Sequence, residues 1–264
     1  MATKQATMDT SRRSAPQILE TVSRIARDEL ARNSRALAFS GLAGGMTMGL
    51  TGLGVAAVQS IIGKGPVQNF VAMLFYPVGF IAVIIGRAQL FTENTLYPVV
   101  LVLDERDHIR NTLRLWGVVF VSNVAGAALF ALLACRTGAL EPKIVDALSN
   151  LGLDIVSQTT ASAFWSGVIG GWLIALLAWL VSASHWTIGQ IAIVWLLSFV
   201  VGIGHFSHCI ASSGEILSSV VTGNLPLTRF FYWLGPATAG NIVGGVFIVS
   251  LLNWGQVKAG SDED

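Results

Sequence analysis

Charge is scarce in this sequence. Asp, Glu, Lys and Arg make up 12% of its 264 residues, against roughly a quarter in soluble domains. With a hydrophobic share of 53% and a mean hydropathy of +0.66, that excludes an ordinary soluble domain and points to a polytopic membrane protein. Cysteine is nearly absent: Cys135 and Cys209 give neither a disulfide framework nor metal-ligand spacing. No nucleotide-binding motif or catalytic constellation occurs, so no cofactor, metal or enzymatic activity is expected. The net charge of +1 makes no case for nucleic acid. The opening MATKQATMDTSRRSAPQ lacks an apolar core followed by small residues, so no cleaved signal peptide is expected.

What is present is a series of apolar windows. They fall at 36–58, 69–103, 113–134, 160–183, 187–222 and 230–254. The second and fifth are too long for one simple span, and both carry polar interruptions. Before the first window, residues 1–35 form a polar segment. Within it Ile18, Val22, Ile25 and Leu30 recur near helical spacing, with arginines and acids between them. This pattern fits a helix lying along a membrane surface or one packed on the cytoplasmic ends of a bundle. Positive charge gathers there (Lys4, Arg12, Arg13, Arg24, Arg27, Arg32, Arg35), with Arg106, Arg110 and Arg114 after the second window and Lys258 in the tail, 255–264. The other side carries Lys64, Arg136, Lys143 and Arg229. The bias predicts that both termini are cytoplasmic, which six spans satisfy.

The halves repeat. At an offset of 118 residues Gly86 meets Gly204, Gly117 meets Gly235, Asn123 meets Asn241 and Gly126 meets Gly244. At an offset of 126, SGLAGG at 40–45 meets SGVIGG at 166–171. With an odd number of spans in each half, 36–134 and 160–254, the repeat is inverted in the membrane. The fold predicted is therefore all-α, with six transmembrane helices in an inverted 3+3 repeat over 36–254. The glycines read as helix-packing faces. Within the repeat, GRAQLFTENTLYP at 86–98 and GHFSHCIASSGEI at 204–216 occupy equivalent places as two breaks. Irregular backbone at membrane depth is tolerated inside protein or along a water-filled path, and paired interruptions point to that path. Half-helix ends there would aim N–H groups at a passing anion.

LFTEN at 90–94, HCIASS at 208–213, AGNIVGG at 239–245 and FWSGVIGGWLIALLAW at 164–179 together resemble the formate/nitrite transporter family, over nearly all of the membrane region. The resemblance implies a homopentamer of aquaporin-like protomers in a bacterial inner membrane, each with its own pore and with broken second and fifth helices. It also implies a channel or transporter for small monovalent weak-acid anions. The family's pore histidine falls on His208, its loop threonine on Thr92, and an apolar constriction on Leu90. Phe91, Asn94, Ser207 and Ser212 fall along the same path, and Phe75, Tyr76, Phe80 and Val201 are candidates for the outer constriction. Four positions depart from the usual pattern: Ser207 replaces Glu before the histidine, Gln89 replaces an acidic residue before LFT, and in the fourth helix Ser166 replaces a basic residue and Gly171 an Asn. In this the sequence is similar to the divergent YfdC-like branch.

His208 has the chemistry to donate a hydrogen bond or a proton to a small anion, which would couple passage to protons. Arg87 and Glu93 are costly against lipid, so they are expected to pair as a clamp on the loop or to face the pore as selectivity groups. Asn123 and Asn241 are expected to hydrogen-bond the broken backbone. Two alternatives stay open: a channel for small neutral solutes, favoured by Ser207, Gln89 and Ser166, and a non-conducting scaffold whose N-terminal segment recruits a partner.

Overall fold

The computed structural model of the chain describes residues 12–261. Lys4, with the rest of residues 1–11, and the tail residues 262–264 lie outside the described residues. The fold is all helical, and its elements follow from local signals. Helix α1 (Ala15–Ala31) has Pro16 in its first turn, and the side chain of Gln17 accepts from the Ser14 N–H at 2.8 Å. Helix α2 (Ser34–Ile62) is capped by Asn33, whose side chain accepts from the Ala36 N–H at 2.9 Å. Then come α3 (Pro66–Met73), α4 (Pro77–Ile85), a 3₁₀ turn (Glu93–Thr95), α5 (Tyr97–Glu105) and α6 (Ile109–Arg136). The second half runs through α7 (Pro142–Val156), α8 (Thr160–Ala183), α9 (Thr187–Ile203), α10 (Ala211–Val221) and α11 (Leu227–Val243). A π-helical stretch (Gly244–Leu251) joins α11 to α12 (Leu252–Ser261).

By length and composition, α2, the α3–α4 segment, α6, α8 and the α11–α12 segment are each able to cross a membrane; α9 is apolar but shorter. The long windows are broken as expected. The chain leaves α4 at Gly86 and resumes helix at Tyr97, and it leaves α9 at Gly204 and resumes at Ala211. At each break one non-glycine residue adopts the left-handed region: Arg87 at φ 59° and His205 at φ 51°. The second window has a further interruption at Leu74–Tyr76, where Pro77 supplies no N–H.

Helix α2 packs along α6, and α8 along α11. Gly170 of α8 lets the second break come close: a Cβ there would lie 2.5 Å from the Ser207 carbonyl oxygen, nearer than real Cβ atoms come. Gly44 meets the Gln89 carbonyl in the same way. Helix α1 buries Ile18, Leu19, Val22, Ala26 and Leu30 against the bundle, packing on α5, α8 and α12. Of the two readings of this segment, packing on the bundle end is the one its contacts match. Arg114 of α6 donates to the Leu30 and Arg32 carbonyls at 2.8 and 3.1 Å, and Arg27 pairs with Glu105. The Arg27 guanidinium, helped by His108, holds the Glu105 carboxyl below the usual carboxylate range. Lys258 of α12 pairs with Asp104 at the same end.

One element was not expected. Residues 142–156 form α7, which packs its Ala147, Leu148, Gly152 and Val156 side against α2 and α10 at the opposite end. Its signal is the spacing of Ile144, Leu148, Leu151 and Ile155, an apolar stripe too short to count as a span.

Candidate functional site

The two breaks meet at a buried contact. Thr92 Oγ1 lies 2.7 Å from His208 Nε2, and both residues are fully buried. His208 Nδ1 accepts from the Ala211 N–H at 3.0 Å. A ring nitrogen that accepts from an amide cannot itself carry a proton, so hydrogen bonding assigns the proton to Nε2, which donates to Thr92. The first N–H of α10 is thereby spent on the imidazole. It was expected to face the path directly; instead the helix terminus reaches the path through His208. The Phe80 ring stands edge-on to His208, centroids 5.0 Å apart.

Two asparagines hold the breaks in place. Asn123 Oδ1 accepts from the Phe91 N–H at 2.9 Å, and its Nδ2 donates to the Gly41 and Gln89 carbonyls at 2.7 and 2.9 Å. Asn241 Oδ1 accepts from the Cys209 N–H at 2.9 Å, and its Nδ2 donates to the Gly167 and Ser207 carbonyls at 2.7 and 2.8 Å. Hydroxyls complete each set. Ser40 Oγ accepts from the Gln89 N–H at 3.1 Å and Ser166 Oγ from the Ser207 N–H at 2.9 Å. Every partner in one set is displaced from its counterpart by the offsets of 118 or 126 residues read from the sequence. Buried amide groups with no strand or helix to pair with are costly unless side chains satisfy them, and here they do.

A cavity flanks the contact on either side. The one at the α7 end, named outer after the orientation expected from charge, has a volume of about 320 Å³; Tyr76, Val201, Ser207, Ser212 and Glu215 are among its lining residues. The inner one, at the α1 end, is far smaller at about 40 Å³; Arg87, Gln89, Leu90, Glu93 and Asn94 line it together with Glu29 of α1. Tyr76 and Val201 line the outer cavity, the Phe80 ring packs on Tyr76 at 5.7 Å as well as on His208, and Leu90 lines the inner cavity.

Two expectations need correction, and of the two readings of Arg87 and Glu93 the ion pair is not formed. Phe75 is 45% exposed and lines neither cavity: its backbone sits against Gly54 of α2. Phe91 also lines neither, because its ring packs on Phe120 and Trp116 of α6 at 5.0 and 5.8 Å. Arg87 and Glu93 form no ion pair within 4 Å; exposed Arg87 and buried Glu93 share the inner cavity instead. The loop is held otherwise. Asn94 Nδ2 donates to Gln89 Oε1 at 2.9 Å, Trp116 Nε1 to the Asn94 carbonyl at 2.8 Å, and Ser250 of the π-helical stretch to the Thr95 carbonyl at 2.9 Å. Gln59 of α2 was missed as a lining residue of the outer cavity, which Glu215, an acid inside an apolar window, lines as well.

The model of the family described as "Formate/nitrite transporter" matches residues 16–255. The chain is 32% identical over 247 residues to the inner membrane protein YfdC of Escherichia coli, covering 92% of this chain and 79% of that one. It is 36% identical over 197 residues to a probable formate transporter of Methanothermobacter thermautotrophicus, covering 68% and 72% of the two chains. Among solved structures it is similar to an FNT family ion channel, with a TM-score of 0.78 at 20% identity over 91% of this chain and 97% of that one. It is similar also to a pentameric formate channel with formate bound, with a TM-score of 0.70 at 19% identity over 84% and 96%.

Proposed function

The chain belongs to the formate/nitrite transporter family, and from that premise we propose that it conducts small monovalent weak acids such as formate or nitrite through the Thr92–His208 contact. The observation that carries this reading is the contact itself: a 2.7 Å hydrogen bond between the two broken segments, buried, with a cavity on each side. A solute oxygen arriving at the contact takes the Nε2–H bond in place of Thr92, while the threonine hydroxyl turns to the solute. Exchanging one neutral hydrogen bond for another changes little, about 1 kcal/mol. Carrying a bare charge through the same dry constriction costs at least several kcal/mol. The cheaper passenger is the acid together with its proton, and Phe80 and Leu90 keep bulk water out on either side.

The protomer is a six-span unit with an inverted repeat and cytoplasmic termini, and the assembly is a homopentamer in a bacterial inner membrane. The repeat is supported by the matching hydrogen-bond sets of Asn123 and Asn241. The orientation is supported by charge: Arg13, Arg27, Arg32, Arg114 and Lys258 gather at the α1 end, whereas Lys64, Arg136 and Arg229 contact α7 or the end of α10. The pentamer rests on the neighbouring formate channel. The test is uptake of formate, nitrite and glycerol by proteoliposomes across a pH series. Acid uptake that increases toward low pH is expected. A second reading, a channel for small neutral solutes, draws on the uncharged Ser207 and Gln89 that line the two cavities. Glycerol uptake with no acid uptake at any pH would favour it.

A further inference from the structure

The outer cavity contains polar groups that the bundle leaves unspent. Glu215, on α10, is 5% exposed and lines the cavity. Among the described residues its carboxyl has no hydrogen bond to a side chain or backbone group, and no Lys or Arg pairs with it. The fold makes room for it: a Cβ on Gly52 of α2 would lie 2.6 Å from Glu215 Cγ and 3.1 Å from Oε1. Ser207, 2% exposed, and Gln59, whose Nε2 donates to Asn69 at 3.2 Å, belong to the wall of the same cavity, and among the described residues Ser207 Oγ and Gln59 Oε1 have no hydrogen-bond partner. Those two oxygens are sealed within the wall, so the Glu215 carboxyl is the polar group left open to a solute without the partner that buried polar groups ordinarily have.

We propose that this cavity is a proton-sharing binding site for a small carboxylic or oxo acid, with Glu215 as the group that shares the proton. The inference rests on the reading of the chain as an acid channel. A free anion in this cavity would meet the carboxylate of Glu215 across a short, poorly screened distance and be repelled. One proton between the two turns that repulsion into a charge-assisted O–H···O⁻ hydrogen bond, among the stronger kinds. In the step itself the Glu215 O–H bond breaks and a new O–H bond forms on the solute oxyanion. The solute leaves inward past Phe80 as the neutral acid, and Glu215 stays behind as a carboxylate. A proton from the outer water then restores it. The site carries one negative charge and one proton throughout, until the neutral acid departs.

The other titratable groups around the cavity are Tyr76, Lys64, Asp154 and His205, with Lys64 and Asp154 paired at 3.6 Å. From α6, Cys135 reaches Ser218 of the same helix as Glu215, and His208 lies beyond Phe80. None of these places a fixed cation on the Glu215 carboxyl, which leaves the solute and its proton as the partner.

The test is formate uptake by proteoliposomes of the full-length protein and its E215Q and E215D variants, from pH 5.5 to pH 7.5. In E215Q only acid already neutral in bulk water can enter. Uptake at neutral pH should fall about tenfold, equivalent to about 1.4 kcal/mol. It should also steepen toward a tenfold fall per pH unit, against a shallower slope in the wild type. E215D keeps the carboxyl, so its slope should stay shallow even if the rate drops, and it serves as the measured variant if E215Q does not assemble. A steep E215D slope, or an E215Q profile that matches the wild type or is lowered by one factor at every pH, overturns the role of Glu215. Wild-type protein that carries no acid at any pH overturns the channel reading instead.

Discussion

Replacing Asn123 with Leu removes three hydrogen bonds at once, and the structure says what each loss leaves behind. The Phe91 N–H and the Gln89 carbonyl sit in the break, where no helix supplies a second partner, and both have Asn123 as theirs. The Gly41 carbonyl lies inside α2 and loses a bond from the asparagine only. An orphaned buried group costs about 1–3 kcal/mol, so two of them cost about 4 kcal/mol. A chain of this size shifts its unfolding midpoint by roughly 2–4 °C per kcal/mol, which gives a drop of roughly 8–16 °C. Asn241→Leu orphans the Cys209 N–H and the Ser207 carbonyl in the same way, so its drop should match. The assay is thermal unfolding of purified protein followed by tryptophan fluorescence, with both variants and the wild type in one detergent. A shift below about 2 °C in either variant would refute the argument that these side chains fix the breaks.

Other outcomes follow from the same geometry. Thr92→Val removes the hydroxyl that answers His208 without changing size, so acid uptake should fall about tenfold while the unfolding midpoint moves by no more than about 4 °C; an unchanged uptake would take Thr92 out of the path. Gly170→Val puts a side chain where Ser207's carbonyl already lies. It should cost about 1–3 kcal/mol and abolish uptake, read by unfolding midpoint and flux together. Phe80→Ala opens the wall between the outer cavity and His208, and should admit larger acids such as acetate or lactate, measured by competition against formate. At the α1 end, Glu105 contributes stability while ionised, because Arg27 holds its carboxyl below the usual range. That contribution is present above the ordinary carboxylate pKa and disappears as pH falls below about 4. Protease cleavage within α1 should therefore accelerate on acidification, and Glu105→Gln should remove the dependence.

The breaks were legible because polar residues in apolar windows have few physical excuses, and their repetition at fixed offsets in two halves left fewer. The asparagine roles followed from the same logic, since irregular backbone needs partners that side chains supply. The ends of the path were harder to read. Phe75 and Phe91 share the aromatic, apolar character of Phe80, and only packing against α2 and α6 decides which ring faces the path. Arg87 and Glu93 have opposite charges near one break, yet the left-handed turn at Arg87 leaves them on a shared cavity rather than in contact. Helix α7 carried an amphipathic stripe, but a search for long apolar windows passes over one. Gln59 and Glu215 come together with Ser207 only through the packing of α2 and α10.

The central claim is that acids pass by way of His208, and flux through a His208→Ala variant tests it most directly. In wild-type proteoliposomes formate and nitrite uptake should increase as the outer pH falls. In an assembled His208→Ala protein, losing the Nε2–H donor and the acceptor of the Ala211 N–H, that uptake should change in both rate and pH dependence. Acid uptake with the wild-type rate and the wild-type pH profile would contradict the account.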